Sequence, residues 1–147
     1  MNGVDLTQRP PRSPRVRLGS FVLLPRILDK CRATIAGKNG EYKFNCPLDQ
    51  QFFDYTQVDA EKFKAEVKTG KGDGEMLEWI QQNAGRKFSV VDAVSWSAYQ
   101  EQRAPGQTET REFFTELHKQ AGPKREDIST WFDLLDLDDF VSFGGKA

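Results

Sequence analysis

One histidine, two cysteines and no long apolar stretch set the first limits on this 147-residue chain. A Ser-His-Asp or Cys-His arrangement needs a histidine beside a nucleophile and an orienting carboxylate. Here the sole candidate is His118, next to Lys119 on the polar side of a predicted helix, where a solvent-facing role is expected. Structural zinc takes about four Cys/His ligands, and Cys31, Cys46 and His118 fall short, so no metal site is expected. Gly70, Gly72 and Gly74 lie in TGKGDG without the Gly-Lys-Ser/Thr of a phosphate loop, and read as a turn. The apolar run Phe21–Leu24 is shorter than the roughly 7–15 residues of a secretory signal and far shorter than the ~20 of a membrane span. These absences lead to an expectation of a cytoplasmic protein without cofactor, with reduced thiols and no membrane contact.

What the chain does have is aromatic mass and charge. Eleven Phe and three Trp supply a core for a domain of this length. The net charge of −1 conceals an asymmetry. Residues 1–46 hold 9 Lys/Arg against 3 Asp/Glu, whereas residues 47–147 hold 12 against 19. Pro10, Pro11 and Pro14, interleaved with Arg9, Arg12, Arg15 and Arg17, rule out a helix and predict an extended basic arm over 1–19. The arm is expected to track a phosphate backbone weakly or to dock on acidic surface, its own or a neighbour's. With no aromatic between the arginines for base stacking, nucleic acid is the less favoured partner.

Beyond the arm, residues 20–147 read as one helical domain. Leu24, Ile27, Leu28, Cys31 and Ile35 recur at helical spacing, Pro25 suits a first turn and Gly37 a stop. Pro47 disfavours helix at Cys46, so 41–46 is expected to be extended, a short strand at most. Asp59, Asp73 and the Ser89/Asp92 pair read as helix starts. Phe113, Phe114 and Leu117 mark a helix over 108–120, and Ile128, Trp131, Phe132 and Leu135 mark the last. Asp136 is expected to cap a final short turn. The fold class is therefore all-α, a single compact domain of six or seven short helices.

The densest signature is Leu23–Tyr55. Arg26, Asp29, Lys30 and Arg32 lie within an otherwise apolar helix, with Tyr42, Cys46 and Asp49 following after the turn. Two readings stand. In one, the charges form a solvated face, with Asp29 three residues from both Arg26 and Arg32. In the other, Arg26 and Lys30 grip a carboxylate or phosphate in a pocket walled by Tyr42, Cys46 and Asp49. Cys31 reads as a buried small hydrophobe. Cys46 is expected to be inert as well, and reactive only if Lys43 or Arg32 favoured its thiolate. The acidic run FDLLDLDDF, with Asp133, Asp136, Asp138 and Asp139, opposes its own helix dipole unless something basic meets it.

LLPRILDKCRA, GEYKFNCPLDQQFF, DGEMLEWI and FDLLDLDD together resemble an uncharacterised family of small bacterial proteins, a domain of unknown function. The likeness runs from Asp5 to about Asp139 and implies a bacterial, cytoplasmic, single-domain protein, with no activity to carry over. The residues alone favour a non-enzymatic module that binds another protein or itself, with Phe52, Phe53, Trp96 or Tyr99 exposed at an interface. A small-anion site on Arg26, Lys30, Tyr42 and Asp49 is the alternative.

Overall fold

Eleven consecutive residues, Phe21–Cys31, are buried in a computed structural model of the chain, which describes residues 4–147. They close a hairpin and open the central helix. Strands β1 (Arg17–Leu18) and β2 (Phe21–Val22) pair antiparallel in the register Arg17 to Val22 and Leu18 to Phe21. Gly19 and Ser20, at φ 56° and 70°, form the two-residue loop. Two left-handed residues suit the twist of such a hairpin. The β2 backbone is held by buried Ser97, whose hydroxyl accepts from Val22 N–H at 3.0 Å and donates to Ser20 C=O at 2.6 Å.

Helix α1 (Leu24–Ile35) follows, with Pro25 in its first turn as expected and Val22 left in β2. Leu23 carries φ 74°, an unusual value for a buried branched residue, and its N–H is fixed to Pro14 C=O at 2.8 Å. Six further helices pack around α1 and each other among the described residues: α2 (Pro47–Thr56), α3 (Ala60–Lys68), α4 (Asp73–Asn83), α5 (Val90–Gln102), α6 (Thr108–Ala121) and α7 (Trp131–Ser142). The fold is all-α apart from the hairpin. None of these helices is long and apolar enough to cross a membrane.

The main core gathers Ile27, Leu28 and Cys31 of α1 with Phe21, Phe52, Phe63 and Met76. Edge-to-face ring contacts run through it, Phe21 on Phe52 at 5.3 Å and Phe53 on Phe63 at 5.1 Å. Such pairs add about 0.5–1.5 kcal/mol beyond area burial. A second cluster, Phe114, Ile128, Leu134 and Leu137, joins α6 to α7. Phe52 and Phe53 are thus core residues and not a surface patch; Trp96 is half-buried and Tyr99 exposed.

Three expectations about element ends change. Asp59 and Ser89 cap as expected, accepting from Lys62 and Asp92 N–H. Asp73 does not cap: Gly72 holds that position, and Asp73 is the first helical residue, its carboxylate drawn to Arg12 and Arg32. Residues 41–46 form no strand, because no neighbouring strand meets them and Asn45 turns left-handed at φ 60°. Asp136 lies inside α7, whose cap is Thr130 paired with Asp133, and Ile128 precedes the helix. His118 is half-buried, its Nε2 at 2.6 Å from Arg125 C=O, in place of a free surface position.

Candidate functional site

Every charged side chain of α1 that the sequence singles out finds its partner on a different segment. Arg26 donates to both oxygens of Asp139 on α7 at 2.7 and 3.2 Å, with Arg26 and Asp139 side chains 4% and 8% exposed. Asp29 accepts from the arm, through Arg12 N–H at 2.9 Å, Nε at 3.1 Å and Nη2 at 3.0 Å. Lys30 donates to Asp49 on α2 at 2.8 Å, and Asp49 is fully buried. Arg32 donates to Asp73 on α4 at 2.8 Å. Neither the solvated face nor pairing within the helix is realised. α1 is surrounded, so its i,i+3 neighbours are less attractive partners than carboxylates brought in from elsewhere.

The arm lies along this helix. Arg12 bridges Asp29 and Asp73, and its guanidinium is held firmly in the charged form by the hydrogen bond to Asp73, then by Asp29. The same contact, with help from Arg32, holds the Asp73 carboxyl below its ordinary range. Arg15 pairs with Asp133 and Asp136, and Arg17 with Glu101. Arg9 is exposed.

Between arm, α1 and α7 opens a cleft of about 610 Å³. Arg26, Lys30, Tyr42, Lys43 and Cys46 line it, with Ser142 and Phe143 opposite in sequence. Tyr42 donates its hydroxyl to Asp139 Oδ1 at 2.8 Å, and the Arg26 guanidinium lies 5.5 Å from its ring centre. Burial, then the Asp139 hydrogen bond, keeps the phenol protonated well above its ordinary range. The Tyr42 and Phe143 rings are nearly parallel, 8° apart, with centres separated by 6.5 Å. Desolvation and then the charge of Asp139 push the Asp138 carboxyl up. Glu41 and Asp138 line the cleft beside Arg26, Lys30 and Lys43.

Asn45 and Cys46 fix the far end. Asn45, a residue that tolerates left-handed backbone, donates its N–H to Asp49 Oδ2 at 2.9 Å. Cys46 then stands at the N-cap of α2 with no capping bond of its own. Its Sγ receives a hydrogen bond from Lys30 Nζ at 3.4 Å. The cation beside Cys46 is therefore Lys30, where the sequence suggested Lys43 or Arg32. Cys31 is buried in the core and burial pushes its thiol up to about 12.

Arg26, Lys30, Tyr42, Cys46 and Asp49 are thus brought together, whereas Asp29 and Arg32 face the arm and α4. Sequence reasoning missed Asp139 and Phe143 as parts of the site, and named Lys43 only as a neighbour of Cys46. One signal was available: the acidic run holding Asp139 opposes its own helix dipole unless something basic meets it.

These features define a small helical domain with buried ion pairs at the floor of one open cleft. A family model described as Domain of unknown function (DUF5069) matches residues 8–141, and the chain belongs to that family. No curated protein matches it.

Proposed function

We infer that the protein binds a small organic anion, a carboxylate or phosphate, in the cleft between the arm, α1 and α7. The carrying observation is the pairing of Arg26 and Lys30 with buried carboxylates while both cations line the cleft. A buried ion pair roughly breaks even against well-packed apolar residues, so stability alone is a weak reason to hold two of them there. Tyr42 and Asp138, both shifted upward, line the same cleft, and perturbed ionisable groups at a cleft are a functional signature. The carboxylates orient the cations without using every donor, since Lys30 has one ammonium hydrogen left after Asp49 and Cys46. Lys43 adds an exposed cation at the rim.

A thermal-melt screen against carboxylates and phosphates tests this. A ligand at about 100 times its dissociation constant adds roughly 2.7 kcal/mol, a shift of several degrees. Lys43→Glu, at an exposed position, is expected to abolish the shift while leaving the unliganded melt unchanged. A screen in which no anion moves the melt would falsify the reading. The free thiols of Cys31 and Cys46 fit a reducing compartment such as the cytoplasm.

A second reading, contact with another protein or a second copy of this chain, draws on α5, where Val90, Val91 and Val94 are 72%, 72% and 41% exposed. A change in oligomeric state or partner retention on Val91→Glu would favour it. Nucleic acid binding through the arm is disfavoured, because Arg12, Arg15 and Arg17 meet carboxylates of their own chain.

A further inference from the structure

The charged groups that line the cleft are of two kinds. Arg26 and Lys30 already hold Asp139 and Asp49, at 2.7 and 2.8 Å. Lys43, Glu41 and Asp138 line the same cleft, and among the described residues no ion pair or side-chain hydrogen bond reaches any of the three. Their places are fixed by the fold. Asn39 Nδ2 donates to Tyr42 C=O at 2.8 Å, and Tyr42 N–H donates to Asn39 C=O at 3.0 Å, which holds the turn carrying Glu41 and Lys43. Asp138 stands on α7 with Leu135 and Ser142, three and four residues apart on one helix face, and all three line the cleft. An anion with no positive group would satisfy Lys43 and leave Glu41 and Asp138 facing a like charge. Such a pair of acids selects against it.

Resting on the reading that the cleft takes an organic carboxylate, we propose that its ligand is a free amino acid with an apolar side chain. The carboxylate meets Arg26, Lys43 and the ammonium hydrogen that Lys30 has left after Asp49 and Cys46. The ligand ammonium meets Glu41 and Asp138, the acids that the fold leaves unpaired. Desolvation and the charge of Asp139 disfavour the Asp138 carboxylate, and a cation beside it offsets both. Leu48, Leu135 and Phe143 supply the apolar surface against which the side chain leaves water. The cleft, about 610 Å³, lies within the roughly 300–1,000 Å³ of small-molecule sites.

Calorimetric titration of the full chain tests this. The probes are phenylalanine and leucine, phenylpropionate and isocaproate, which lack only the ammonium, and phenethylamine, which lacks only the carboxylate of phenylalanine. At least one of the two amino acids is expected to bind about tenfold or more tightly than its analogues, because each analogue leaves charged groups of the cleft without a partner. Glycine should bind far more weakly, since it brings no side chain to Leu48, Leu135 and Phe143. In Glu41→Gln combined with Asp138→Asn, both at accessible positions, the preference for the amino acid over its deaminated form should vanish while the deaminated acid still binds. Equal affinity for the two forms in the parent, glycine binding as tightly as phenylalanine, or a preference that survives the double variant would overturn the proposal. Should neither amino acid bind while other carboxylates or phosphates still raise the melting temperature, the amino-acid assignment fails and the anion reading stands. If nothing in either set acts, both fall.

Discussion

Replacing Asp139 by leucine leaves the Arg26 guanidinium buried without its counter-charge. Arg26 and Asp139 side chains are 4% and 8% exposed, and two hydrogen bonds join them. Removing one partner of such a pair costs about 3–5 kcal/mol. The Tyr42 hydroxyl loses its acceptor as well, at about 1 kcal/mol. A domain of ordinary stability has about 5–15 kcal/mol in total, so Asp139→Leu is expected to be close to unfolding. Arg26→Met together with Asp139→Leu removes both charges and fills similar volume, which is expected to return stability to within about 2 kcal/mol of the parent. Urea denaturation read by tryptophan fluorescence measures this. With a slope of about 2 kcal/mol per molar, a 4 kcal/mol loss lowers the midpoint by about 2 M. The stable double variant should show a smaller melt shift with anions, because Arg26 is gone from the lining while Lys30 and Lys43 remain. Two results would refute the reasoning. A single variant that loses less than about 1 kcal/mol would mean the pair is solvated, and a double variant whose melt shift with anions equals the parent's would mean Arg26 plays no part in recognition.

Cys46 should react with a thiol reagent in the native protein near neutral pH, whereas Cys31, buried and pushed up to about 12, should react only on unfolding; equal native labelling would contradict this. Asp73 has a lowered carboxyl, so its stabilising effect is present above the unfolded value of about 3.9 and fades as pH falls through the lower native one. The stability gap between parent and Asp73→Asn should therefore be widest near pH 6 and shrink in acid, as urea midpoints would show. Gly40 sits at φ 55°, and a Cβ there would come within 2.8 Å of Leu6 C=O, so Gly40→Ala is expected to destabilise by about 1–3 kcal/mol, checked by thermal melting.

Much of the helical pattern was legible because it is local. Pro25, Asp59 and the Ser89/Asp92 pair act within one turn of their own helix, and each behaves as the sequence suggests. The hairpin at Arg17–Val22 escaped notice because two-residue strands leave no alternation to read. Asp73 misled for a different reason. A residue suited to capping was claimed by Arg12 and Arg32, charges that no local rule connects to it. The candidate site was legible in its α1 half and in Tyr42, Cys46 and Asp49, which lie close in sequence. Its other half, Asp139 and Phe143, arrives from the end of α7, and only the folded chain places it there.

That distance has a consequence for how the chain reaches its native state. Arg26 and Asp139 are separated by 113 positions, so during synthesis the central helix emerges long before the carboxylate that neutralises it. Burying α1 before Asp139 arrives would leave the Arg26 guanidinium without its counter-charge, at a cost of about 3–5 kcal/mol. Closing so long a loop is slow compared with forming the helices themselves. The Arg26–Asp139 contact thus ties the start of the domain to its end: a chain broken anywhere before Asp139 lacks the carboxylate that compensates the Arg26 guanidinium.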